Sequence, residues 1–341
     1  MEGQLFGVLR EIAARDGGPK PAESRVFGAD RLVDGADRAG ASAPLARLLP
    51  ALRLSAADAA AGDILALASV SDSTKRIQGM AAVVAKNSGS VEARLRYADA
   101  LIDAGMYPES LTVTDALLQQ DAFEWRAHWY AGKALLADGK PAEARERFDR
   151  VYFETPGELA PKLGMAFAFE AAGDHASAAG YYGRVAMVDP SHGSACFGLS
   201  RCLRALGDVE GAVKALDAAP ASHSLYSESR LALARFLVEV DHRRHKGLLP
   251  LAADRLAAVG ADGGLKHQLA ASLLETAVKL IASGDEKADE AKDFLGAPMT
   301  EPRLRAAAEA EYRAAARCAL SVGEKQMWVD MANRIRPRTL T

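Results

Sequence analysis

Apolar residues fall at helical spacing along almost the whole chain. Leu5, Val8, Leu9 and Ile12 recur at i, i+3, i+4 and i+7, flanked by Phe6 and Ala13, which predicts an amphipathic helix over residues 2–15. Residues 16–43 are rich in Gly, Asp, Ala and Pro and read as a tether, interrupted by one short apolar segment at 26–33. Helical periodicity returns at Pro44, a residue suited to a first helical turn, and pauses at the polar stretch 71–75. From 91 to 220 the pattern becomes strictly repetitive. Beyond 220 it loosens but stays helical, and two last helices are predicted at about 301–321 and 324–335, before Pro337. No alternating apolar pattern of strand type appears anywhere, and the charged run 284–293 reads as a solvated helix start.

The repetition has a period of 34 residues. Gly105, Gly139, Gly173 and Gly207 mark it, each followed five residues later by a small residue (Ser110, Ala144, Ala178, Ala212). Four positions further on come Thr114, Phe148, Tyr182 and Leu216. A helix that must end and turn back needs a left-handed residue, which glycine supplies without a Cβ penalty. The small residue lets the paired helices touch, and the larger one fills the space beside it. Small residues also stand at the eighth place of each first helix: Ala98, Gly132, Ala166 and Ser200. Pro156 and Pro190 stop two of the second helices. This is the signature of the tetratricopeptide repeat, a helix–turn–helix unit. The expected fold is all-α, a right-handed superhelical solenoid with degenerate terminal pairs. Residues 44–88 would form a divergent cap, 91–220 the clear repeats, and 221–337 degenerate repeats and capping helices. Gly247, Ala252 and Leu256 restore the spacing once more, and Gly284 marks a weaker unit.

In such arrays the first helix of each pair lines the concave groove, chiefly with its second, fifth, ninth and twelfth residues. The first repeat offers Glu92, Leu95, Asp99 and Ile102. The second offers Arg126, Trp129, Lys133 and Leu136, the third Ala160, Leu163, Phe167 and Glu170, and the fourth Ser194, Phe197, Arg201 and Arg204. The candidate partner-binding residues are therefore Arg126, Trp129, Lys133, Leu163, Phe167, Phe197, Arg201 and Arg204. Apolar anchors with cations beside them suit an amphipathic or acidic segment of a protein partner. The plainer reading is that the aromatics pack between neighbouring first helices. The Lys and Asn that would clamp a peptide's terminal carboxylate are missing from the fifth and ninth places.

Composition narrows the remaining chemistry. A formal net charge of −3 over 341 residues gives no bulk attraction for nucleic acid. No apolar run reaches the length of a membrane span, and no signal-peptide core opens the chain, so a cytoplasmic protein is expected. Three scattered cysteines form no disulfide framework. His242 and His245 lie among Arg243, Arg244 and Lys246, a setting that repels a metal and reads as a solvated loop. Trp125 reads as a packing anchor. No cofactor, metal site or catalytic pair is expected.

Four segments carry a resemblance: PGELAPKL at 156–163, AxFGLxRxxxxxGDxxGAVxxLD at 195–217, TEPRL at 300–304 and VDMANRIRP at 329–337. They resemble the C-terminal repeat region of the actinobacterial serine/threonine protein kinase G family. QLFGVLREIAARDGGPKP, near the start, resembles the last helix of that family's kinase lobe and the exit from it. The family's kinase motifs, a Gly-rich loop, a VAIK-type lysine, HRD and DFG, have no counterpart; Asp293–Phe294–Leu295–Gly296 has a leucine intervening and is taken as helical. The resemblance implies a non-catalytic regulatory domain that braces the kinase lobe, presents substrates or supports a homodimer, in signalling over nitrogen and carbon metabolism. The alternative is a stand-alone adaptor descended from such a kinase. The stripe on residues 2–15 would then dock on the repeats, stay disordered until a kinase lobe supplies the surface, or, the favoured outcome, dock onto a second copy in a dimer.

Overall fold

The computed structural model describes residues 2–14, 24–28, 42–218, 226–245, 247–260 and 263–337. It divides into two compact units, Met1–Ala218 and Ala219–Thr341. The first begins with α1 (Glu2–Ala14), α2 (Ser42–Leu48), α3 (Ala61–Leu67) and α4 (Ser73–Lys86). Four helix pairs follow: α5 (Val91–Asp103) with α6 (Tyr107–Gln120), α7 (Trp125–Ala137) with α8 (Pro141–Glu154), α9 (Leu159–Ala171) with α10 (His175–Val188), and α11 (Gly193–Ala205) with α12 (Val209–Asp217). They occupy the four predicted repeats.

The ladder glycines do what their spacing implies. Gly105, Gly139, Gly173 and Gly207 have φ of 80°, 75°, 79° and 81°. In each case the next residue's N–H reaches back across the turn; that of Met106, for instance, donates to Leu101 O at 2.9 Å. These are Schellman ends, which satisfy carbonyls the helix leaves open. Ser90 and Asp174 cap the starts of α5 and α10 by accepting from Ala93 N and Ser177 N, and Pro141 opens α8. The small-and-large pairs interlock as expected: Ala144 and Phe148 are both fully buried. A Cβ on Gly132 would sit 2.6 Å from the Phe148 ring, so the eighth place of that helix has no room for a side chain. Where Ser110 fills the small slot, its hydroxyl donates to Ala98 O at 3.0 Å, so no polar atom is stranded.

The α1 helix lies on its own chain, against α10 and the 156–158 turn, but not by the predicted stripe. Leu5, Phe6, Leu9 and Ile12 remain 49–60% exposed. The docked face carries Gln4, Gly7 and Glu11 instead. A Cβ on Gly7 would come 2.4 Å from Gly157 O, so backbone meets backbone here. Gln4 Oε1 accepts from Gly157 N at 2.9 Å. Glu11 lies 3.1 Å from the ammonium of Lys162, whose side chain is 1% exposed. Burial pulls the Lys162 pKa below its usual value, and Glu11 opposes that shift. A glycine-and-charge face wins because it alone permits such close approach.

The second unit contains α13 (Tyr226–Glu239), α14 (Leu248–Ala257), α15 (Gly264–Ser283), β1 (Asp289–Phe294), β2 (Ala297–Met299), α16 (Glu301–Cys318) and α17 (Val322–Ile335). Two expectations are corrected here. The run 284–293 is not a helix start: after Gly284 (φ 78°) caps α15, residues 289–294 form a strand antiparallel to β2. Phe294, Ala297 and Met299 are its buried residues, and Leu295 and Gly296 make the tight turn with φ of 52° and 80°. Asp293 Oδ1 accepts from Gly296 N at 3.0 Å, so residues 293–296 are a hairpin turn rather than helix. Pro298 could not continue a helix through its interior. The second correction concerns His242, which is buried rather than solvated. Its Nε2 donates to Leu237 O at 2.7 Å, and burial lowers its pKa.

Candidate functional site

The predicted groove positions lie on the first helices of the repeats, and the chain's own N-terminal part covers those of the second and third at Trp129, Leu163 and Phe167. Residues 24–28 and 50–53 form a short antiparallel clasp. Phe27 bridges to Leu52, Gly28 N donates to Ala51 O at 2.8 Å, and Arg53 N donates to Val26 O at 2.7 Å. Trp129 Nε1 donates to Pro50 O at 3.1 Å, and Leu52 N donates to the Tyr130 hydroxyl at 3.3 Å. Arg96 donates to Leu52 O. The Phe27 ring meets Trp129 edge-on at 4.9 Å and Trp125 at 6.1 Å, an arrangement that favours aromatic pairs. Beneath the clasp, Leu45, Leu48 and Leu49 of the α2 segment share one buried cluster with Trp129, Leu163 and Phe167.

The anchors are therefore core residues. Trp129, Leu163 and Phe167 are fully buried, and Phe197 is buried as well. The cations are matched within the fold. Lys133 Nζ lies 2.8 Å from Asp99, with the lysine side chain 1% exposed. Arg126 pairs with Glu124 at 2.6 Å and Glu92 at 3.4 Å, and the Glu124 contact raises its pKa. Arg201 lies 2.7 Å from Glu170, which also accepts from the Tyr182 hydroxyl. Arg204 alone among the eight is exposed. Three acids from preceding first helices thus neutralise the three inner cations. Two of those pairs, Glu92 with Arg126 and Asp99 with Lys133, are 34 residues apart, a signal the sequence held. Tyr130, Arg96 and Phe27 were missed; only the short apolar segment at 26–33 pointed to the last.

Other candidate chemistry is quiet. Burial pushes the thiols of Cys196 and Cys202 up to about 11 and about 12, which suppresses thiolate. Among the described residues no group of three or more His, Cys, Asp or Glu could hold a metal ion. Nor is any described helix long and apolar enough to cross a membrane.

Residues 21–339 match the family described as Protein kinase G tetratricopeptide repeat. The chain belongs to that family. Its relatives include the serine/threonine-protein kinase PknG of Mycobacterium leprae, 30% identical over 99% of this chain and 47% of that protein. The PknG of Mycolicibacterium smegmatis is 29% identical over the same shares. The chain thus spans about half the length of these PknG relatives. Among solved structures, a tetratricopeptide repeat protein from Parabacteroides merdae ATCC 43184 is similar at 10% identity and a TM-score of 0.44, covering 80% of this chain and 97% of its own. The PknG relatives align over a longer stretch than the repeat family does, and the added part includes α1.

Proposed function

We propose that this chain is the non-catalytic interaction and regulatory domain of a PknG-type serine/threonine kinase, working in the cytoplasm. The observation that carries the reading is the family match across 21–339 combined with alignment of the whole chain to half of each PknG relative. The domain would brace the kinase lobe, present protein substrates to it, or join two copies. The exposed stripe Leu5, Phe6, Leu9 and Ile12 supports a lobe contact, because it is the largest apolar face on a helix that lies before the family match. The predicted groove residues support a partner role only at Arg204 and at the rim beside Arg126 and Arg201, because the inner anchors are covered. The test is a calorimetric titration of this chain with the half of the Mycobacterium leprae PknG that it does not span. Saturable binding in the micromolar range is expected, as suits an interdomain contact of roughly 600–1,500 Å². Absence of binding at high micromolar concentration, with both proteins folded, overturns the bracing role.

A further inference from the structure

With the first helices of repeats two and three covered by the chain itself, an open cleft remains on the second helix of repeat two. A cleft of about 930 Å³ separates the outer side of α8 from the 122–125 turn and the start of α7. Two phenylalanines border it, Phe123 on the turn and Phe153 on the last turn of α8, each 83% exposed. The turn that carries Phe123 is held by its N–H, which donates to Asp121 Oδ1 at 2.9 Å. Single exposed apolar side chains need no explanation, but two rings at one cleft hold apolar area that the chain itself leaves in water.

The cleft's charge says what would cover them. Glu143, Glu146, Asp149 and Glu154 line it, against Arg147 and Arg150. Arg147 is turned to Asp115 at 3.5 Å and to His128 Nδ1 at 3.3 Å, so four carboxylates face one remaining guanidinium. Glu143, Glu146, Arg150 and Phe153 follow one another at helical spacing, so the acids and one ring share a face.

We propose that this cleft docks a short basic peptide segment of a protein partner, with an apolar side chain seated between Phe123 and Phe153 and lysines or arginines over the α8 carboxylates. The inference rests on the reading of the chain as a protein-interaction domain and names the class of its partner. Buried aromatic anchors would supply most of the affinity, and the acidic wall would select the sign of the segment and speed its approach.

The experiment selects a random 12-residue peptide library on the full chain. Winners are measured by fluorescence anisotropy against the chain, Phe123→Ser/Phe153→Ser, and Glu146→Lys/Asp149→Lys. All four positions are exposed, so both variants should keep the circular dichroism of the unaltered chain. Enriched peptides should combine Lys or Arg with Leu or Phe, lose about tenfold or more in affinity in either variant, and weaken as salt rises. Winners that lack basic residues, or that bind both variants as tightly as the unaltered chain, overturn the cleft while leaving an interaction domain with its site elsewhere. A library that yields no winner also overturns it, and the kinase-lobe titration above then decides the broader reading separately.

Discussion

At the scale of single residues, the inner face of the repeats is an electrostatic core. Lys133 is buried, with its ammonium 2.8 Å from Asp99 and 5.3 Å from the Tyr130 ring centre. A buried ion pair adds little net stability, yet removing one partner strands the other charge in a poor solvent. Lys133→Met should therefore cost about 3–5 kcal/mol, read as a lower urea midpoint. Lys133→Met with Asp99→Leu should recover most of that loss, since neither charge is left behind. Simple addition of the two single costs would show that Lys133 and Asp99 act independently. A partner-facing lysine would behave differently, because its replacement would leave the midpoint unchanged.

At the scale of elements, the sequence made the repeats legible and their lids illegible, for one physical reason. The 34-residue ladder is local: a glycine ends a helix, and a small residue meets a large one within the same pair, so Gly139, Ala144 and Phe148 announce their places by spacing alone. The hairpin at 289–299 and the clasp of 24–28 with 50–53 bury few residues each, Phe294, Ala297 and Met299 in one, Phe27, Pro50 and Leu52 in the other. Such short apolar runs carry no period. The candidate groove residues lie on first helices, but what covers Trp129 comes from Pro50, 79 residues away in sequence. α1 shows the same limit: its stripe predicted a helix, while Gly7, an unfavourable residue inside one, was the sign of the docking face. Gly7→Ala should raise the helical propensity of residues 2–14 by roughly 1 kcal/mol. It should also lift α1 from the repeats, because the new Cβ meets Gly157 backbone at 2.4 Å. Faster hydrogen exchange at the Gly157 amide, which now donates to Gln4, is the expected reading. Unchanged exchange there would mean that the close approach does not hold the helix.

At the scale of the whole molecule, the first unit is not a plain repeat array, in which each pair would depend only on its neighbours. Residues 50–52 reach Arg96 on α5 and Trp129 and Tyr130 on α7, and α2 just before them also packs on α9, so this stretch ties three repeats together. Phe27, Leu49 and Leu52 are each 5% exposed or less, worth about 1.5–3 kcal/mol apiece if fully removed from water. By contrast, α1 contributes one glycine contact, the Gln4 hydrogen bond to Gly157 and the Glu11–Lys162 pair, and leaves much of its apolar side in solvent. Two shortened chains separate these contributions. A chain beginning at Ser24 should keep nearly the thermal midpoint of the full protein, since it loses only α1 and the residues up to the clasp. A chain beginning at Ala56 should fall by many degrees, and its tryptophan emission should shift to the red as Trp129 loses Pro50 and Phe27 and meets water. That shorter chain is also the one in which an added peptide could reach Leu163 and Phe167. If both chains melt alike, with emission unchanged, the N-terminal segment is a passive cover, and the groove of the first helices is free to serve partners after all.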